Sequence, residues 1–234
     1  MDHHYNIARD TFRFWTVPWL DDGTRILSTT RFQEFSDIMR GLRENWEKEV
    51  RIFLDKYRGY QEQAKGELGD LYDVNDYPTK TEMAKKFELK LHIMNMPDVE
   101  DFRANVSAEQ EQIIRANIEE TLKEATALAQ RDAYSRIGEV VGKMSTKLAN
   151  YKPDAPKGEQ GTFRDSLVEN VRHLVAVLPT LNVTDDAHIA ALTTRMERDL
   201  CRVEGSELRE DVQSCAEVQA AAAAIMADVS VYLA

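Results

Sequence analysis

Residues 32–71 read FQEFSDIMRGLRENWEKEVRIFLDKYRGYQEQAKGELGDL. Apolar residues stand at Phe32, Phe35, Met39, Leu42, Trp46, Val50, Phe53, Tyr57, Tyr60, Ala64, Leu68 and Leu71. The steps are threes and fours throughout, averaging about 3.55 residues, which is helical spacing. Arg43, Glu44, Glu47, Lys48, Glu49, Arg51, Asp55 and Lys56 fill most of the opposite face. The stretch predicts one amphipathic helix of about 40 residues, roughly 60 Å long. A stripe of that length needs an equally long partner, in this chain or in another.

Upstream, Ser28, Thr29 and Thr30 offer N-caps for this helix. Residues 1–31 are dense in aromatics: Phe12, Phe14, Trp15 and Trp19 precede the turn signal Asp22-Gly23. The alternation of Phe12 and Phe14 predicts an extended arm, with Arg25-Ile26-Leu27 as a short return strand. Such an arm either plugs the helical core or docks a partner. Trp15 and Trp19 are its interaction candidates, because large aromatics anchor interfaces.

Downstream, the helix should fade at Gly66-Glu67-Leu68-Gly69, where each glycine costs about 1 kcal/mol relative to alanine. Asp76-Tyr77-Pro78 forces a turn, and Thr79 with Glu82 forms a capping box for a short helix. Phe87, Leu89, Leu91 and Ile93 then alternate with polar residues, as do Phe102, Ala104 and Val106. That period predicts a small hairpin of 87–94 with 101–106, inside an insert at 72–106.

Ser107 and Gln110 form a second capping box. It opens another long helix, with Ile114, Ile118, Leu122, Ala125, Ala129, Ile137, Val141, Met144 and Leu148 on its apolar face. Its spacing is nearer 3.7 than 3.5, so no strict left-handed coiled coil is expected. Residues 151–161, YKPDAPKGEQG, read as a linker. Three helices follow: one capped by Thr162 and ended by Pro179, one capped by Thr184, and one capped by Ser206. The expected fold is mainly α. Two long antiparallel helices carry a small β-hairpin insert and are followed by a C-terminal three-helix bundle. Residues 1–150 form the N-terminal part and 162–234 the bundle.

The chain has 41 acidic and 30 basic residues, a net charge of −11. Such a surface repels phosphate backbones, so a duplex-DNA binder is not expected. No stretch approaches the roughly 20 apolar residues of a membrane span, and MDHHYNIARD lacks a signal-peptide core. Two cysteines, Cys201 and Cys215, read as reduced core residues of a cytoplasmic protein.

No phosphate loop, dinucleotide fingerprint or nucleophile elbow is present. Cys201 and Cys215 lack zinc spacing. Glu119, Glu120 and Glu124, like Asp73 and Asp76, cluster without the Glu-x-x-His pair of a di-iron bundle. His3-His4 reads as a disordered end, and His92, His173 and His188 lie on separate segments. No catalytic residue, metal or cofactor is expected. Arg164, Asp165, Glu169 and Arg172 are the most concentrated polar group, at i, i+3 and i, i+4 spacing. They read either as surface ion pairs or as a polar interface, and stand as interaction candidates.

Several segments resemble a family of uncharacterised tailed-bacteriophage proteins. They are Val17-Pro18-Trp19-Leu20, Asn75-Asp76-Tyr77-Pro78, Met96-Pro97-Asp98 with Asp101-Phe102-Arg103, Phe163 to Val171, and Leu178 to Val183. The resemblance implies a phage protein working in the host cytoplasm. It also implies candidate partners, because such genes often neighbour one for a MoxR-like ATPase. The expected function is that of a non-enzymatic interaction or adaptor protein, or an oligomeric structural component, with a phage or host protein as partner. Two rivals are an anti-defence inhibitor or acidic nucleic-acid mimic, and an enzyme with a site assembled from distant segments.

The charge generates one prediction. At about 0.15 M salt the protein should not shift duplex DNA in a mobility assay. Salt-dependent binding at sub-micromolar protein would contradict it.

Overall fold

The computed structural model describes residues 2–19, 23–95, 107–156 and 159–233. Among these residues there are eight α-helices and one two-stranded sheet, so the mainly α reading holds. The chain divides into two compact units: Met1–Phe14 with Arg31–Pro97, and Trp15–Thr30 with Asp98–Ala234.

In the first unit the spine is α2 (Phe32–Leu68). It buries Phe35, Met39, Trp46, Val50 and Tyr57, steps of four and seven that keep one face inward. The helix ends where the glycines predict. Gly69 takes φ +54°, a left-handed conformation that costs glycine no Cβ clash. Its N-terminus differs: the N-cap is Arg31, without a side-chain cap, and Ser28 bonds Thr30 instead at 2.9 Å.

The extended N-terminal arm is corrected. Asp2–Trp15 is a helix, α1. Tyr5, Ala8 and Phe12 recur at three and four residues, and that period outweighs the local alternation of Phe12 and Phe14. Ala8 is buried, the Phe12 ring lies 6.4 Å from Phe35, and Tyr5 lies 6.4 Å from Trp46. His3 and His4, expected in a disordered end, sit in the first turn of this helix.

Beyond α2 the chain turns back along it. Short helix α3 (Lys80–Lys86) has the expected capping box between Thr79 and Glu82. Tyr57 donates its hydroxyl to the Pro78 carbonyl at 2.9 Å, and Trp46 donates its indole N–H to the Phe87 carbonyl at 2.6 Å. These two bonds satisfy the polar tips of buried aromatics. Residues 87–95 form no strand. The expected hairpin therefore lacks its first strand, because Phe87 commits its carbonyl to Trp46 and its ring to Phe53, 5.3 Å away. Its other half, 101–106, lies outside the described residues.

In the second unit β1 (Val17–Pro18) pairs antiparallel with β2 (Arg25–Ile26), Val17 opposite Ile26. This return strand is the one expected at Arg25. Helix α4 (Ala108–Ala149) starts at the predicted capping box of Ser107 and Gln110. It packs on α8 (Val212–Leu233) and on α5 (Ser166–Leu181). Helix α5 packs on α6 (Ala187–Leu200), and α6 packs on α8. The four close a ring, and short α7 (Gly205–Glu210) bridges α6 to α8.

The three-helix bundle is thus a four-helix one. Ile137, Val141, Met144 and Leu148 of α4 share a core with Leu178, Leu192, Met196 and Ile225. The described residues of the stretch 151–161 pack on the same structure. Tyr151 is buried and donates to the Arg209 carbonyl at 3.3 Å, while Lys152 N–H donates to Gln160 at 2.9 Å. Helix boundaries also move. The N-cap position of α5 is Asp165, not Thr162, and Pro179 lies inside its last turn, where burial of Leu178, Thr180 and Leu181 carries the helix on. Asp186 rather than Thr184 caps α6, accepting from His188 and Ile189 N–H. Asp211 breaks the last expected helix in two and accepts from Gln213 and Ser214 N–H.

By length and composition α8 can cross a membrane, with a mean hydropathy of 1.3 over its best window. That corrects the expectation that no stretch comes near a span. Here Cys215, Val218, Ala222, Ile225 and Val229 lie in the bundle core.

The α4–α8 seam is closed by small residues. A Cβ on Gly138 would meet Leu233 Cδ1 at 2.9 Å, and one on Gly142 would meet Met226 Cε at 3.3 Å. Gly138→Val should therefore destabilise the protein by about 1–3 kcal/mol through overpacking. The measurement is a lowered urea midpoint with unchanged slope. Gly142→Ala should cost less, because the Met226 side chain yields and the helix gains up to about 1 kcal/mol on losing a glycine.

Candidate functional site

The first unit carries two adjoining hollows beside α2. One has a volume of about 430 Å³ and lies among Tyr5, Ala8, Arg9, Phe12, Ser36, Met39, Arg40, residues 89–91 and Ile93. The other, of about 740 Å³, continues past Arg43 along Val50, Arg51, Lys85 and Phe87 to His92. They share Arg43, Leu89, Lys90 and Leu91. Together they form one groove.

Its construction follows from local sequence. Helix α1 supplies one wall because Ala8 is small enough to sit close. Helix α2 supplies the floor through Met39 and Val50, and the chain from Phe87 to Ile93 supplies the other wall. Leu91 and Ile93 remain 37% and 56% exposed, so the lips are apolar as well.

The charge around the groove opposes the charge of the whole chain. Arg9, Arg40, Arg43, Arg51, Lys85 and Lys90 line it, against only Glu47 and Glu88. The cations are lightly held. Lys90 pairs with Glu88 at 2.7 Å, Arg9 with Asp10 at 3.4 Å and Arg43 with Glu47 at 3.7 Å, all solvent-exposed. Exposed pairs of this kind contribute about 0–1 kcal/mol, so an incoming carboxylate can replace them. At the bottom, the Ser36 hydroxyl is buried and has no hydrogen-bond partner among the described residues. A buried hydroxyl left unpaired costs about 1–3 kcal/mol.

The residues singled out from sequence lie elsewhere. Trp15 is half-buried and packs on the core of the second unit, and the Trp19 N–H closes the β1–β2 turn on Thr24 at 3.0 Å. Arg164 is exposed. Asp165 pairs with Arg209 at 2.5 Å rather than with a neighbour on its own helix. Arg172 joins Glu169 at 3.1 Å, Glu204 at 2.7 Å and the Cys201 carbonyl at 3.0 Å. Its Glu204 bonds hold its guanidinium above the usual range and the Glu204 carboxyl below it. The Asp165–Arg209 pair and the Arg172 bonds to Glu204 and the Cys201 carbonyl join α5 to α7 and to the turn before it, while Glu169 braces Arg172 from within α5.

A second polar group was not visible in sequence. Tyr134 donates its hydroxyl to Asp186 at 3.1 Å and meets His188 Nδ1 at 3.2 Å. Its ring stacks on Tyr232 at 4.3 Å. Burial, and then the Asp186 carboxylate, hold the phenol well above its ordinary range, so it stays protonated. One phenolic proton cannot serve both neighbours. With it on Asp186, His188 Nδ1 must be the donor in the other bond. The group fastens the N-terminus of α6 to α4 and α8.

Other sequence clusters are spread out. Glu119, Glu120 and Glu124 are exposed on α4, Asp73 accepts from Asn75 N–H at 2.9 Å, and His173 is exposed on α5. Among the described residues no three His, Cys, Asp or Glu side chains converge as metal ligands. Comparison with protein-family models, curated proteins and solved structures gives no match for this chain.

Cys201 is half-buried on the bundle, and burial pushes its thiol up to about 11. Near neutral pH its thiolate fraction falls about a hundredfold below that of an ordinary thiol. Ellman's reagent should therefore react with Cys201 about a hundredfold more slowly in the native protein than in denaturant, and faster as pH rises. Rapid native labelling would contradict this.

Proposed function

We propose that the chain is a non-enzymatic interaction protein, an adaptor or structural component that acts on a protein partner in the host cytoplasm during phage infection. The single observation that supports this most is the groove along α2. It combines apolar lips and a loose basic rim, features of a recognition surface rather than of a packed interior. The resemblance to tailed-bacteriophage proteins supports the setting. It also makes a phage-encoded MoxR-like ATPase, or a host protein, the partner to try first. Self-association belongs to the same reading, because an acidic chain with one basic groove can present its own carboxylates to a second copy.

Co-purification tests the reading. Tagged protein from infected cells should retain a stoichiometric partner, and the double variant Arg40→Glu with Arg43→Glu should lose it while keeping its helical circular dichroism. A partner held equally by both forms would remove the groove from the reading. Light scattering tests self-association: a mass above the 26.8 kDa of one chain is expected as concentration rises. A constant single-chain mass up to about 100 µM would exclude self-association stronger than about −5.5 kcal/mol.

A further inference from the structure

We infer that the groove beside Ser36 takes an acidic amphipathic segment of a partner protein, apolar side chains on the floor and carboxylates on the rim. The inference rests on the interaction reading above and names the chemistry of what it binds. The floor is mostly aliphatic: Met39 lies at the base and Leu91 and Ile93 form the lip. A hollow of about 430 Å³ falls in the range of small recognition pockets and suits a few aliphatic side chains. An amphipathic helix offers such side chains at i, i+3, i+4 and i+7.

The rim decides the sign of the partner. Arg9, Arg40, Arg43 and Lys90 line this hollow, and no acidic residue does. Their carboxylate partners Asp10, Asp37, Glu47 and Glu88 are exposed, so exchange for a partner's carboxylate strands no buried charge. The net charge of −11 disfavours non-specific binding of an acidic segment to the chain as a whole, which makes a locally basic groove the favoured place for one.

A nucleic acid is disfavoured on the same observations. Single strands are held by aromatic faces on which bases stack; the hollow has two, Tyr5 and Phe12, and the Tyr5 ring already lies 6.4 Å from Trp46 with the Arg9 guanidinium 5.9 Å from its centre. The Phe12 ring is engaged with Phe35 at 6.4 Å.

Fluorescence anisotropy on the full chain tests the inference, at about 0.15 M salt. The probes are labelled synthetic peptides about four helical turns long. One has leucines on a single face and glutamates elsewhere. One has the same residues scrambled, and one has lysines in place of the glutamates. A labelled oligothymidine is the fourth probe. The acidic amphipathic peptide should bind at roughly tens of micromolar, and the scrambled and basic peptides about tenfold or more weakly. Arg40→Glu with Arg43→Glu should weaken the acidic peptide about tenfold and favour the basic one. Leu91→Asp, at a lip position, should weaken the acidic peptide without that reversal.

Equal binding of ordered and scrambled peptides, tighter binding of the oligothymidine, or no acidic-peptide binding up to about 1 mM would overturn the inference. The co-purification assay separates the two levels. If the Arg40 and Arg43 variant loses its partner while no acidic peptide binds, the acidic class falls and the interaction reading stands. If neither assay responds to the groove, both fall.

Discussion

An apolar stripe on a long helix must be kept from water along its length, and the fold is built from the ways this chain does so. Burying one large aliphatic or aromatic side chain contributes about 1.5–3 kcal/mol, so a stripe of a dozen cannot be left bare. Short pieces supply the cover. For α2 they are the Tyr5–Phe12 face of α1 and the returning chain from Pro78 to Phe87. For the C-terminal half of α4 they are α5 and α8. Where cover runs out, the apolar residues show: Tyr60, Leu68 and Leu71 are exposed at the far end of α2.

The second unit sets its spacing by a different means. Gly138 and Gly142 let α4 approach α8 closely, and the small residues Ala129, Ala133 and Ala222 are buried in the same core. Two interior glycines weaken a helix by about 1 kcal/mol each, and close packing offsets the loss. Polar bridges then fix the ends of the bundle. Asp165 and Arg209, with Arg172 and Glu204, hold the α5–α7 corner, while Asp186 caps α6 and accepts from Tyr134. A Cβ on Gly205 would fall 2.3 Å from Asp165 Oδ1, so that corner depends on a glycine as much as on charge.

The groove of the first unit contrasts with these joints. Bundle bridges reach from other elements to one group, as Glu204 and the Cys201 carbonyl do to Arg172. Rim cations of the groove rest mostly on near neighbours in sequence, such as Asp10 beside Arg9 and Glu88 near Lys90. The first kind loses several contacts at once if it opens. The second can open with little loss, which is what a recognition surface requires.

The sequence by itself determined the long helices, the capping boxes at Thr79 and Ser107, the glycine stop near Gly69 and the inward faces of the C-terminal helices. Each is local: helical period, cap chemistry and glycine's freedom act within a few residues of each other. What lay beyond that range was decided by tertiary structure. Phe12 and Phe14 look like a strand until Phe35 and Trp46 select the helical face of α1. Residues 87–94 alternate like a strand, yet Phe87 finds Trp46 and Phe53 instead of a ladder. Thr162 and Thr184 are sound caps on local grounds, but Asp165 and Asp186 stand where the chain enters the bundle. Asp165 was legible as a polar candidate and its partner Arg209 was not, because they meet 44 residues apart in sequence. The groove was not legible either. Its basic rim gathers Arg9, Arg40 and Lys90 from three separate segments, and composition reports only the net acidity of the whole.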